Sequence, residues 1–219
     1  MVTYETVLKN KDVKTYIEKA DETLIALGYT EHSYAHVGKA SKMAGDMLIA
    51  LGYPERTAEL ARIAGHMHDI GNVVNRIDHA QSGAVMAFRL LDKMGMDADE
   101  LATVVTAIGH HDESTAFPVN EVAAALILAD KSDVRRSRVR NTDRANFDIH
   151  DRVNYAVEKS ELTLSRQERT ITLDLDIDSS ISAVMDYFEI FLGRMILCRR
   201  AANHLGLKFR LVINGVALL

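Results

Sequence analysis

The chain has 219 residues, 47% of them hydrophobic and only two of them proline, and a formal charge of −5. That length allows one large domain or two small ones and lets folding bury about 70% of the unfolded surface, so a packed core is expected and extensive disorder is not. The acid excess argues against a general nucleic-acid coat, and no stable nucleic-acid complex is expected. The single cysteine, Cys198, excludes an internal disulfide and fits a reducing cytoplasm. No apolar run reaches membrane-spanning length and no charged start precedes an apolar leader, so a cytoplasmic protein with no membrane partner is the expectation.

Residues 1 to about 150 read as consecutive helices. Apolar positions recur every three or four residues from Val13 to Leu27, and Gly28 closes the segment. A second helix runs from Ser33 to Leu51 and stops at Gly52-Tyr53-Pro54. A third starts near Glu55, reaches His68-Asp69 and breaks at Gly71. Further helices fit 80–94, 97–111 and 119–137, joined by short connections. The pattern changes after Asn154: Glu161–Ser165 and Thr170–Ile177 alternate apolar and polar residues and read as a hairpin. A long amphipathic helix follows from Ser180 to Leu205, ends at Gly206, and precedes the strand-like Lys208–Ile213. The expected fold is therefore mainly α. A helical bundle over 1–152 is followed by a C-terminal part, 153–219, made of a small antiparallel sheet and one long helix, packed on the first domain. Met185, Phe188, Phe191, Leu192, Met195 and Ile196 make that helix apolar over a wide arc. This suits core packing and also allows a homodimer through the C-terminal region.

The chemistry is carried by His36, the adjacent His68-Asp69, His79, His111 and Asp130. Imidazoles and carboxylates are hard-to-intermediate ligands, suited to Mn, Fe, Mg or Zn rather than to copper or a thiolate cluster. Neighbours on a regular helix diverge by about 100°, so His68 and Asp69 can reach one ion only from a loosened helix end, which Ile70-Gly71 supplies.

Three stretches resemble the HD superfamily of metal-dependent phosphohydrolases: His36-Val37-Gly38-Lys39-Ala40-Ser41, Gly65-His66-Met67-His68-Asp69-Ile70-Gly71-Asn72, and Leu128-Ala129-Asp130-Lys131-Ser132-Asp133. The second is similar to the family's His-Asp-Ile-Gly signature, and together they cover roughly residues 30–140. The resemblance implies a ligand set of His36, His68, Asp69 and Asp130. His79-Ala80-Gln81-Ser82-Gly83-Ala84 and Ala107-Ile108-Gly109-His110-His111 look like the segments that give two-metal members their additional histidines. That adds His79 and one of His110 and His111, with His111 favoured. Two divalent ions (Mn, Fe, Mg, Ni, Co or Zn) bridged by Asp69 are implied, able to lower the pKa of water and hold phosphate oxygens.

Asp133, one turn beyond Asp130, could orient the attacking water or protonate the leaving group, or is a surface acid paired with a basic residue. His32, four residues before His36, is a candidate to support a ligand rather than to be one. Lys131, Arg135 and Arg138, spaced four and three apart, share one helical face just beyond Asp130, and with Lys39 they are the candidates to bind substrate phosphate. The acid pair that follows His-Asp in ppGpp hydrolases is missing here, and the overall spacing is similar to that of dinucleoside-tetraphosphate hydrolases. The expected function is hydrolysis of a phosphoester or phosphoanhydride of a nucleotide or small phosphorylated metabolite, the expected partner being that substrate. A di-iron oxygenase with the same ligands and a non-catalytic nucleotide-binding module are the rival readings.

Overall fold

The computed structural model describes all residues from Met1 to Leu219. Nine helices are present: α1 (Tyr4–Lys9), α2 (Lys11–Ala26), α3 (Tyr34–Leu51), α4 (Glu55–Met67), α5 (His79–Lys93), α6 (Ala98–Gly109), α7 (Glu121–Lys131), α8 (Ile149–Ala156) and α9 (Val184–His204). The strands are β1 (Val157–Ser165), β2 (Thr170–Ile177), β3 (Lys208–Ile213) and β4 (Val216–Ala217). No helix is long and apolar enough to cross a membrane.

Helix α7 is the axis of the bundle. Every residue from Val122 to Ala129 is fully buried, so it is apolar on all sides, and α3, α4, α6 and α9 pack around it. Asn120 caps its start by accepting from the Ala123 amide. The bundle closes tightly at two glycines. A Cβ on Gly65 would lie 2.7 Å from Ser41 Cα, so its absence lets α4 approach α3. A Cβ on Gly71 would lie 2.0 Å from the His79 carbonyl oxygen, so only glycine lets the turn after Asp69 press against the start of α5.

The C-terminal part shares this core. One connected apolar cluster contains Val37 and Leu128 of the bundle as well as Leu173, Phe209 and Leu211 of the sheet. Residue 152, where the sequence suggests a boundary, lies inside α8. The sheet order is β1-β2-β3-β4, and it is mixed rather than purely antiparallel. β1 and β2 form the expected hairpin, with Leu162 opposite Leu173, whereas β2 and β3 are parallel, with Leu173 opposite Leu211. Parallel neighbours need a crossover, and α9 is that crossover. Helix α9 packs on α7 and β3 with Phe191, Met195 and Cys198 buried, and leaves Met185, Leu192 and Ile196 exposed on its other face.

The largest departure from the sequence reading lies after Asp130. The helix expected to reach residue 137 ends at Lys131, and tight turns follow. The Asp133 carbonyl, which a continuing helix would use for a backbone amide, instead accepts from Arg138 Nη1 at 2.7 Å. Lys131, Arg135 and Arg138 therefore do not share a helical face.

Candidate metal centre

Six donors reach one point from five elements. His36 sits in the first turn of α3, set by the Ser33 cap. His68 ends α4, and Asp69 follows with φ −95° and ψ 0°, the irregular end that lets neighbouring side chains converge. His79 opens α5, His111 follows α6, and Asp130 lies at the end of α7.

The imidazoles share one hydrogen-bonding plan. His68 Nδ1 donates to the Gly65 carbonyl at 2.9 Å, His79 Nδ1 to the Arg76 carbonyl at 3.0 Å, and His111 Nδ1 to the Ile108 carbonyl at 2.6 Å. His36 Nδ1 donates to Asp133 Oδ2 at 2.8 Å. A carbonyl oxygen can only accept, so Nδ1 carries a proton in each ring and Nε2 is the nitrogen left to offer a lone pair to an ion. All four lone pairs face Asp69 and Asp130. Asp69 Oδ2 is 3.2 Å from His68 Nε2 and 3.6 Å from His36 Nε2. Its other oxygen, Oδ1, is 3.5 Å from His79 Nε2 and 4.0 Å from His111 Nε2. Asp130 Oδ1 lies 3.2 Å from His36 Nε2 and 3.7 Å from His68 Nε2. His79 Nε2 and His111 Nε2 are 3.2 Å apart, two acceptors face to face.

This arrangement attracts positive charge to the Nε2 atoms, a proton or an ion. Burial pushes the His68 pKa down, but the carboxylates of Asp69 and Asp130 overcome it and raise it to about 10. Burial pushes both carboxyls up, yet the neighbouring cationic groups, led by His68 for Asp69 and by Lys131 for Asp130, hold them well below the ordinary range. Burial and the His68 charge press His111 down to about 3, which keeps its imidazole neutral. His36 Nε2, His68 Nε2 and Asp69 Oδ2 are buried and have no hydrogen-bond partner. Orphaned lone pairs of this kind are costly unless a cation takes them. Two overlapping donor groups fit an ion, His36 with His68 and Asp130, and His68 with Asp69 and His111.

Compared with known protein families, residues 29–135 match the HD domain. Those residues are an HD domain. HD domains bind divalent metals and belong broadly to a metal-dependent hydrolase superfamily, and the donor set here fits that chemistry. Over 230 aligned positions the chain is 24% identical to the uncharacterized protein MJ1020 of Methanocaldococcus jannaschii, covering 94% of this chain and 87% of that protein. The similarity therefore runs past the HD domain into the C-terminal helix and sheet.

Not every residue singled out in the sequence reaches the cluster. His110 caps α6 beside His111 but lines neither the cluster nor its cavity, because the backbone turns between the two. Asp133 is not placed to handle water or a leaving group. It is fully buried behind His36, its oxygens taken by His36 Nδ1, by Lys39 Nζ at 2.7 Å and by Arg135 Nε at 3.1 Å. It is the carboxylate that orients His36. Lys39 and Arg135 are held on the far side of Asp133, outside the cavity, so neither is placed to meet a substrate phosphate there. His32 lines the cavity with its ring 5.5 Å from that of His36, and its Nδ1 donates to the Thr30 carbonyl.

The cavity that opens beside the cluster has a volume of about 130 Å³. By the same measure a water needs about 10–15 Å³, so there is room for several waters or a phosphoryl group. Lys131 and Arg138 do line it, Lys131 from the last residue of α7 and Arg138 from the tight turns beyond it, rather than from a common helix face. Arg76 and Arg194 join them, and neither stood out in the sequence. Arg194 lies three residues from buried Phe191 on α9, 4.2 Å above that ring, and its Nε donates to Glu113 Oε1 at 2.7 Å. A lone charge within an apolar helix face was the available signal. Glu113 also pairs with Lys131 at 2.6 Å, and Lys131 with Asp130 at 2.8 Å. His150, isolated in sequence, lines the outer cavity with Asp148.

Proposed function

We propose that the protein is a two-metal phosphohydrolase that cleaves a phosphoester or phosphoanhydride of a nucleotide or another small phosphorylated metabolite. The observation that carries this reading is the division of labour at Asp69, whose two oxygens each face a separate pair of histidine lone pairs. His36, His68, Asp69 Oδ2 and Asp130 would hold one ion, and Asp69 Oδ1, His79 and His111 the other. Bound there, divalent ions supply Lewis acidity and bring the pKa of water toward neutrality.

The chain's own residues do the rest. Asp133 keeps His36 in the tautomer that presents Nε2. Lys131 holds Asp130 Oδ2, leaving Oδ1 toward the histidines. Arg76, Lys131, Arg138 and Arg194 line the cavity beside the carboxylates of Asp69, Asp130, Asp148 and Asp151, and bring donors suited to phosphate oxygens. A cation with no carboxylate partner, Arg76, supports hydrolysis over the oxygenase reading, since a neutral oxygen molecule gains nothing from it.

The test is a panel of nucleotides and phosphoesters offered to protein loaded with Mn²⁺, Co²⁺ or Fe²⁺. Turnover of at least one compound, lost together with metal in Asp69→Asn, is the expected result. Metal-loaded wild type that cleaves nothing on the panel but consumes oxygen with Fe²⁺ would overturn it.

A further inference from the structure

Four cationic side chains line the cavity, and three of them are already satisfied. Lys131 lies between Asp130 and Glu113. Arg194 is paired with Glu113. Arg138 donates to the Glu31 and Asp133 carbonyls, with the Asp133 carboxylate 3.9 Å away. Arg76 has no carboxylate within 4.0 Å. Its Nη1 makes two long contacts, to Asn72 Oδ1 and to His79 Nε2, both at 3.3 Å, and its guanidinium lies 5.8 Å from the Tyr29 ring centre.

The backbone holds this side chain over the cluster. The Ile77 amide donates to Asn75 Oδ1, and Asp78 turns the chain with φ +57° into α5. The Arg76 carbonyl accepts from His79 Nδ1, so one residue sets the His79 ring with its main chain and reaches over it with its side chain. The His79 lone pair that Nη1 now touches is the one His79 would give to an ion. Loading that position removes one of the two contacts and leaves the guanidinium fork in need of an acceptor.

We propose that Arg76 is the anion seat of the site, the residue that takes the phosphoryl oxygens of the substrate. A guanidinium offers paired donors matched to phosphate, and this one brings no counter-charge that must first be displaced. The substrate role rests on the phosphohydrolase reading, whereas the anion-binding role does not.

Calorimetric titration of inorganic phosphate into Mn²⁺-loaded protein tests it. Arg76→Gln is expected to bind phosphate about 10- to 100-fold more weakly than wild type, the loss of a charged hydrogen-bonding partner, with metal content and melting temperature unchanged. Arg76→Lys, which keeps the charge without the fork, is expected to fall between them and serves if the first variant does not fold. Unchanged phosphate binding in both variants overturns the inference, and so does loss of metal in Arg76→Lys, which would make the residue a prop for His79. Phosphate binding that depends on Arg76 in a protein that hydrolyses no ester would leave the anion seat standing and remove the phosphohydrolase reading instead.

Discussion

The two halves of the donor cluster use the same ligand chemistry and differ in charge. On the Oδ2 side of Asp69, His36 and His68 meet a second carboxylate, Asp130, and His36 is backed by a third, Asp133. On the Oδ1 side, His79 and His111 meet no second carboxylate, are oriented by backbone carbonyls, and have the Arg76 guanidinium beside them. Asp69 Oδ1 is also shared with the Asn72 amide at 3.0 Å. More negative charge and the carboxylate behind His36 would make the first half the tighter seat for a dication. The second half is the one beside Arg76, the cavity cation with no carboxylate partner.

The sharpest way to break this comparison is to remove the group common to both halves. Asp69→Asn is expected to lose both ions and to lower turnover about a thousandfold or more, since Lewis-acid stabilisation is worth several kcal/mol. Elemental analysis and steady-state kinetics read the two effects, and a variant that keeps two ions would show that Asp69 is not shared. Next in size, His79→Ala is expected to keep about one ion per chain where His68→Ala keeps fewer, seen by titration with Mn²⁺. Equal losses would mean the halves do not differ. Asp133→Ala is expected to weaken metal binding about 10- to 100-fold by freeing the His36 ring, measured by chelator competition. If Asp133 instead handled a proton in the reaction, metal affinity would hold and turnover alone would fall.

The smallest effect lies away from the cluster. Burial in α9 pushes the Cys198 thiol up to about 12. The native thiol should therefore resist a thiolate-directed disulfide reagent at pH 9 and react promptly in urea. Because the folded pKa is raised, this group's contribution to stability is full below the unfolded value near 9 and is lost as pH climbs toward 12. Rapid labelling of native protein at pH 9 would place Cys198 in contact with solvent.

The candidate donors were legible through the stretches that resemble HD-family motifs, and the structure gives most of them a local mark. His36 follows a serine cap, His68-Asp69 meets a helix end at Gly71, and His79 and His111 stand where helices begin and stop. Helix periodicity likewise placed most of the bundle and the long α9. What stayed hidden depends on contacts distant in sequence. Arg194 pairs with Glu113 across 81 positions, and a buried ion pair looks like two solvated charges until the chain is folded. The end of α7 was missed because Arg138 takes a carbonyl by a side-chain bond that periodicity does not register. The parallel pairing of β2 with β3 follows from where α9 lands, which no strand pattern encodes. His110 and His111 could not be separated by composition, since one backbone turn decides which of them faces Asp69.

The most direct test of the divided carboxylate is anomalous diffraction from crystals of the Mn²⁺-loaded protein. The account predicts two peaks flanking Asp69, one within ligand distance of His36, His68 and Asp130, and the other of His79 and His111. A single peak held by one half with the other half empty at saturating metal, or peaks outside these six side chains, would contradict it.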